Sequence, residues 1–146
     1  MSFFKSMEIS SSGLAAQRTR MNILSSNLAN AQTTRTPDGS GPYRRKDAVF
    51  SAVPMGTPFE DFLDDDMNTQ LQKVQVIDIH EDTKDPRLVF DPTHADADEK
   101  GWVKMPNVQV MTEMVNMIAA TRAYEANATA LNEAKQMAMK ALEIGR

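Results

Sequence analysis

Residues 107–145 read NVQVMTEMVNMIAATRAYEANATALNEAKQMAMKALEIG. Val110, Met114, Met117, Thr121, Tyr124, Ala128, Leu131, Ala138 and Leu142 follow alternating steps of four and three, interrupted only by Lys135. That spacing lays them along one stripe of an α-helix, in the manner of the a and d rows of a coiled coil. A second apolar row, Met111, Val115 and Ile118, widens the stripe over the first three turns. Asn107, just after Pro106, fits an N-cap, and Gly145 stands where a left-handed C-terminal residue belongs. No Pro or Gly lies between them. A helix over 107–144 would run about 57 Å, too long for a chain of 146 residues to wrap with a core of its own.

Working toward the other end, residues 3–31 predict the partner. Met7, Leu14, Met21 and Leu28 recur every seven residues, with Leu24 and Ala31 three further on from Met21 and Leu28. Ser10 and Gln17 occupy the matching positions of the first half, so the seam is weak there. Gly13, Ala15 and Ala16 make that half thin and open to close approach by another backbone. A helix of this kind draws its stability from packing rather than from propensity. Leu28, Leu24 and Met21 are expected to meet the Met117–Leu131 stripe of the C-terminal helix.

The middle, 32–106, breaks the helical pattern. Thr36-Pro37-Asp38-Gly39-Ser40-Gly41-Pro42 is a turn or loop segment. Tyr43 to Val53 reads as a strand ended by Pro54, and Val74 to Ile79 as a second strand with Ile77 and Ile79 partly buried. Arg87 to Phe90 and Gly101 to Lys104 predict two short strands. Ala52 to Asn68 holds Pro54, Gly56, Pro58 and the five acids Glu60, Asp61, Asp64, Asp65 and Asp66, a loop composition. Charge follows the same division. Residues 1–59 carry seven basic and three acidic side chains, 60–99 three and thirteen, and 100–146 six and four. The ends are mildly basic and the middle is acidic, as a solvated loop would be.

Composition closes off several classes of function. Aromatic residues are 6%, so a compact core must be small, while the eleven methionines suit helix–helix packing. A net charge of −4 argues against a dedicated nucleic-acid binder. With no cysteine, disulfides, thiolate metal sites and cysteine nucleophiles are excluded. No apolar run reaches the roughly 18 residues of a membrane span. Met1-Ser2-Phe3-Phe4-Lys5 lacks a basic region leading into an apolar one, so a cleaved secretory signal is not expected.

Motifs for chemistry are equally thin. Asp91, His94, Asp96, Asp98 and Glu99 form an acidic group, yet as a calcium loop it puts Lys100 and Asn107 at ligand positions. His80 is the only other histidine, which leaves a zinc site short. A turn with solvated acids is the better reading. Neither a phosphate loop, a nucleophile elbow nor a His-Glu-x-x-His pair occurs. Arg44-Arg45-Lys46 lacks interleaved aromatics beyond Tyr43 and reads as an exposed strand or protein contact. Asn127-Ala128-Thr129 matches a glycosylation acceptor but lies inside the predicted helix. Asn27 and Asn30 on one helix, and Arg122, Glu125 and Asn127 on the other, sit beside the seams, where polar groups can fix register.

Ser12-Gly13-Leu14-Ala15-Ala16-Gln17-Arg18-Thr19-Arg20, continuing through Ser26-Asn27-Leu28-Ala29-Asn30 to Thr33-Thr34, resembles the N-terminal signature of bacterial flagellar rod and hook proteins. Gly41-Pro42-Tyr43-Arg44-Arg45-Lys46 with Val49-Phe50 is similar to the following segment of the FlgC-type proximal-rod family. Pro106-Asn107-Val108, Glu113-Met114-Val115 and Arg122-Ala123-Tyr124-Glu125-Ala126-Asn127 resemble that family's C-terminal half, as does the ending Lys140-Ala141-Leu142-Glu143-Ile144-Gly145-Arg146. Ala95 and Trp102 depart from the family's usual proline and tyrosine, a local difference in one turn. The resemblance implies a structural subunit of the periplasmic rod of the flagellar basal body, exported unfolded through the flagellar type III apparatus. It also implies that the subunit polymerises with copies of itself and other rod proteins.

The expected fold is therefore α+β: two long terminal helices, 1–31 and 107–146, pairing as a coiled-coil-like hairpin around a β-rich insert, 32–106, that carries the acidic loop. The expected assembly interface comprises Leu14, Met21, Leu24, Asn27, Leu28, Asn30, Met114, Met117, Arg122, Tyr124, Glu125, Asn127 and Leu131. No catalysis, cofactor, metal, nucleic acid or small-molecule substrate is expected. The alternative is a soluble helical adaptor or chaperone that clasps a client between its long helices.

Overall fold

The computed structural model describes residues 3–55 and 71–144. Six elements follow in order: α1 (Phe3–Ala29), β1 (Lys46–Pro54), β2 (Gln72–Glu81), β3 (Arg87–Phe90), β4 (Trp102–Met105) and α2 (Val110–Ile144). This is the α+β arrangement of two terminal helices with a small antiparallel β module between them in sequence. The segment expected as an acidic loop lies, from residue 56 to 68, outside the described residues, and so does Gly145.

Element ends differ from expectation for identifiable reasons. Helix α1 stops at Ala29, where the Asn30 side chain donates to the Ser26 carbonyl and Ala31 N–H bonds the Leu28 carbonyl in a tighter turn. Helix α2 starts at Val110 rather than after Asn107. Val108 is buried ahead of the first turn, and the Gln109 carbonyl accepts the first helical bond, from Glu113 N–H at 3.0 Å. Gln109, not Asn107, thus holds the cap position, with its side-chain oxygen taking the Thr112 hydroxyl.

Strands β1 and β2 form one two-stranded sheet, and β3 and β4 another. Met55 N–H bonds the Leu71 carbonyl at one end of the first pair, and Asp82 N–H the Arg45 carbonyl at the other. Pro54 ends β1 without breaking it, since both strands are edges and a missing donor is tolerated there. Ile77 and Ile79 were expected partly buried; they are 61% and 47% exposed. A two-stranded sheet has no further strand to shelter their face. Strands β3 and β4 pair antiparallel, with Leu88 opposite Lys104, Val89 opposite Val103 and Phe90 opposite Trp102. Val103 points inward and is fully buried, while Leu88, Phe90 and Trp102 share the outer face. The Phe90 and Trp102 rings meet edge to face at 5.3 Å. Gly101, at φ 80°, turns the chain beneath them, and a Cβ there would stand 3.0 Å from the Phe90 ring.

The chain packs as two compact units, each drawing on both terminal helices. One unit contains 1–19, 49–78 and 120–146, and among the described residues its buried side chains are small: Ser10, Ala16, Ala120 and Ala134. Lys73 pairs with Glu8 at 3.1 Å, and Val74 N–H bonds the Ser12 hydroxyl, which ties the start of β2 to α1. The other unit contains 20–48 and 79–119, and buries Leu24, Val103, Pro106 and Val108 together with Asn27 and Glu113.

Candidate assembly interface

The buried row of α2 is not the one its apolar spacing singles out. Glu113, Ala120 and Ala134 are almost fully enclosed and Asn127 is half-buried, four positions at seven-residue intervals. Met117, Leu131 and Ala138 flank them, half-buried. Of the expected seam, Val110, Met114, Thr121, Tyr124 and Leu142 are exposed instead. The physical reason is close approach, since a row with two alanines brings backbones nearer than a row of methionines. Gly13 shows how near α1 comes: a Cβ added to it would lie 3.0 Å from the Asn127 side-chain nitrogen.

In the second unit the inward row carries a carboxylate. Glu113 is 1% exposed. Its Oε1 accepts Arg45 Nε at 2.8 Å and its Oε2 accepts Asn27 Nδ2 at 3.0 Å. Such a charge is tolerable in the interior only when paired and hydrogen-bonded. Asn27, with no exposed surface, uses its whole amide. Nδ2 also donates to the Lys46 carbonyl at 2.7 Å, and Oδ1 accepts Lys46 N–H and the Tyr43 hydroxyl, each at 2.9 Å. The amide therefore pairs with Lys46 as a strand neighbour would. Arg45 reaches on to Asp47 at 3.1 Å. Burial works against the Arg45 charge, but the hydrogen bonds to Glu113 and Asp47 outweigh it and hold the guanidinium above its ordinary value. One node thus joins α1, the 43–47 segment and the first turn of α2.

The acidic turn between β3 and β4 is occupied with its own geometry. Asp91 accepts Thr93 N–H and hydroxyl, bonds that hold its carboxyl below the usual range. His94 Nδ1 accepts Asp96 N–H, and Asp98 accepts both Lys100 and Trp102 N–H. Asp96 bonds Thr34 and pairs with Arg35, and the Thr34 hydroxyl above all holds its carboxyl low. Among the described residues no three His, Asp or Glu side chains converge as a metal site would require.

The expected interface residues separate into three sets. Leu24 and Asn27 are buried; Leu14, Met21, Leu28, Met117, Asn127 and Leu131 are half-buried. Asn30 is half-buried at the end of α1, where it holds the Ser26 carbonyl and accepts the Thr33 hydroxyl. Met114, Arg122, Tyr124 and Glu125 are exposed, with Arg122 and Glu125 paired loosely at 3.7 Å. Sequence reasoning missed Glu113 and Arg45 as a pair. It also missed the size of the outward apolar face. Val110, Met111, Met114, Val115 and Ile118 are between 43% and 74% exposed on consecutive turns of α2. Soluble monomers rarely leave a contiguous apolar row of this kind uncovered.

Residues 7–35 match the family described as "Flagella basal body rod protein", and residues 99–144 the family described as "Flagellar basal body rod FlgEFG protein C-terminal". The chain is 46% identical to the "Flagellar basal-body rod protein FlgC" of Bacillus subtilis (strain 168), over all of both chains. It is 44% identical to the protein of that name from Borreliella burgdorferi, over 99% of this chain and 98% of the other. With that of Escherichia coli O6:H1 it shares 40% identity over the full length of both.

Proposed function

Because the chain belongs to the FlgC family of bacterial flagellar basal-body rod proteins, we propose that it transmits torque mechanically, as one repeating unit of a stiff helical polymer. It is a structural subunit of the rod. The observation that supports the polymer reading most directly is the exposed row Met111, Met114, Val115 and Ile118 on α2. A face of this size is unfavourable in water and favourable once a neighbouring helix covers it, at roughly 25 cal/mol per Å² of apolar surface removed. Contacts between unlike faces of successive copies repeat along a helix without closing.

On this reading the exposed set, Met114, Arg122, Tyr124 and Glu125, touches neighbouring subunits, and the buried set, Leu24 and Asn27, holds the helices that present it. The remaining expected contacts, Leu14, Met21, Leu28, Asn30, Met117, Asn127 and Leu131, border both. Residues 1–31 and 107–146 form the rod core and 32–106 its insert. Partners are copies of the chain, other rod proteins and the flagellar type III export apparatus, and the working site is the periplasmic rod. No catalytic step is assigned to it.

Replacing Val115 and Ile118 together with lysine tests the proposal. Both side chains are more than 60% exposed, so the purified variant keeps its unfolding free energy to within about 0.5 kcal/mol per substitution. In cells lacking their own copy, the variant is exported but builds no rod, and swimming is lost. Normal swimming would show that this face meets nothing.

A further inference from the structure

A cleft of about 160 Å³ in the second unit is lined by Tyr43, Arg44, Arg45, Asp82, Lys84 and Lys104, with the Ser40–Pro42 turn, Pro86 and Asn107 completing it. Its charge is unbalanced. Arg45 is committed to Glu113 and Asp47. Among the described residues Asp82 is the single carboxylate in the lining, and it stands 4.0 Å from the Lys84 ammonium. Arg44 and Lys104 are exposed. Arg44, Lys84 and Lys104 therefore line one cleft with a single acid among its described residues, while Glu81 stands close enough to Arg44 to feel its charge. Elsewhere the same chain carries the reverse imbalance: Glu60, Asp61, Asp64, Asp65 and Asp66 fall within seven positions, with no basic residue between them.

We infer that the cleft of one copy receives the acidic 60–66 segment of a neighbouring copy, an electrostatic contact that adds to the apolar packing of the helices. The inference rests on the reading of the chain as a polymer subunit. In a polymer of identical chains each subunit brings both halves of such a contact, as a heterologous interface requires. Opposed charges steer the encounter and fix register more than they strengthen it. The Arg44 guanidinium takes a carboxylate with two parallel donors, whereas Lys84 and Lys104 act as point charges.

Charge exchange tests it in cells that lack their own copy. Lys84→Glu with Lys104→Glu should abolish swimming, Asp64→Lys with Asp65→Lys should do the same, and the four changes combined should restore it. The chain has no cysteine, so Lys104→Cys and Asp65→Cys, placed in two differently tagged copies, report proximity through a short thiol cross-linker in isolated basal bodies. A mixed product carrying both tags is expected. Swimming by either charge-reversed pair alone overturns the contact, as does a folded fourfold variant that stays non-motile. A cross-link confined to one chain, one to a different protein, or none at all overturns it too. If the unaltered chain itself failed to enter basal bodies, the polymer reading would fall and take this contact with it. Entry without rescue sinks the contact alone.

Discussion

Glu113 is the residue on which the helix pairing of the second unit is most exposed to damage. Replaced by alanine, it leaves the Arg45 guanidinium, 22% exposed in its side chain, facing a void with only Asp47 to balance it. Asn27 Nδ2 keeps the Lys46 carbonyl but loses its second acceptor. Removing one partner of a buried pair costs about 3–5 kcal/mol, and the partial exposure of Arg45 puts the expected loss near 3. Urea denaturation of the purified Glu113→Ala chain measures it. A loss under about 1 kcal/mol, the size of an exposed pair, would mean that the node is solvated in solution. Sequence reasoning found only part of this node. Asn27 was legible because an amide beside an apolar seam has to find partners. Glu113 was not, because a carboxylate in the first turn of a helix is usually placed there by the helix dipole and left in water. Arg45 was hidden inside a basic triplet, 68 residues away from its partner in the chain, and nothing local distinguishes it from Arg44.

At the scale of the helices, the seven-residue period was legible and its inward phase was not. Bulky apolar residues normally mark the packed row, yet here Ala120, Ala134 and Asn127 face inward while Met111, Val115 and Ile118 face out. Two demands act on one helix: close approach within the chain favours small side chains, and a partner outside it favours large ones. The weak first half of α1, thin at Gly13, Ala15 and Ala16, was the sequence signal for that close approach. Gly13 and Asn127 make it testable. The Asn127 amide is held by the Ala123 carbonyl at 2.9 Å, so it has little freedom to yield to a new methyl group 3.0 Å away. Gly13→Ala gains helix propensity, about 0.5–1 kcal/mol, and loses it again to this crowding. In an Asn127→Ala background the crowding is gone and the gain should appear in full. A double-mutant cycle by thermal or urea unfolding should give a coupling of at least about 0.5 kcal/mol. Additive effects would mean that the helices already stand apart at this level. The β elements were legible in kind because alternation and turn residues mark them, but their exposure was not, since a strand pattern does not say how many strands will cover it.

For the whole molecule, the decisive question is whether the chain is complete alone or only among its neighbours. Toward the end of α2 the internal contacts thin out. Ala134 is buried and Ala138 half-buried, while Met137, Met139 and Leu142 are 66%, 54% and 76% exposed. Helical turns with so little buried surface have only their own propensity to hold them, and isolated segments of that length are marginal. Lys135 and Lys140 are exposed within this stretch, which makes it a ready trypsin substrate whenever the helix opens. An adaptor that folds before it meets its client would protect its helices as a free protein. A rod subunit gains that protection from its neighbours, because anything that binds only the folded form stabilises it by mass action. Trypsin should therefore cut the purified chain at Lys135 and Lys140 before it cuts within residues 79–119. The same two sites should resist cleavage in isolated basal bodies at the same enzyme concentration. Added divalent metal should change neither rate, since Asp91, His94 and Asp98 are engaged within the β3–β4 turn and Asp96 with Thr34. Equal cleavage of the free and assembled chain would remove the case for assembly-coupled order, and protection in the free protein would turn the reading toward the adaptor.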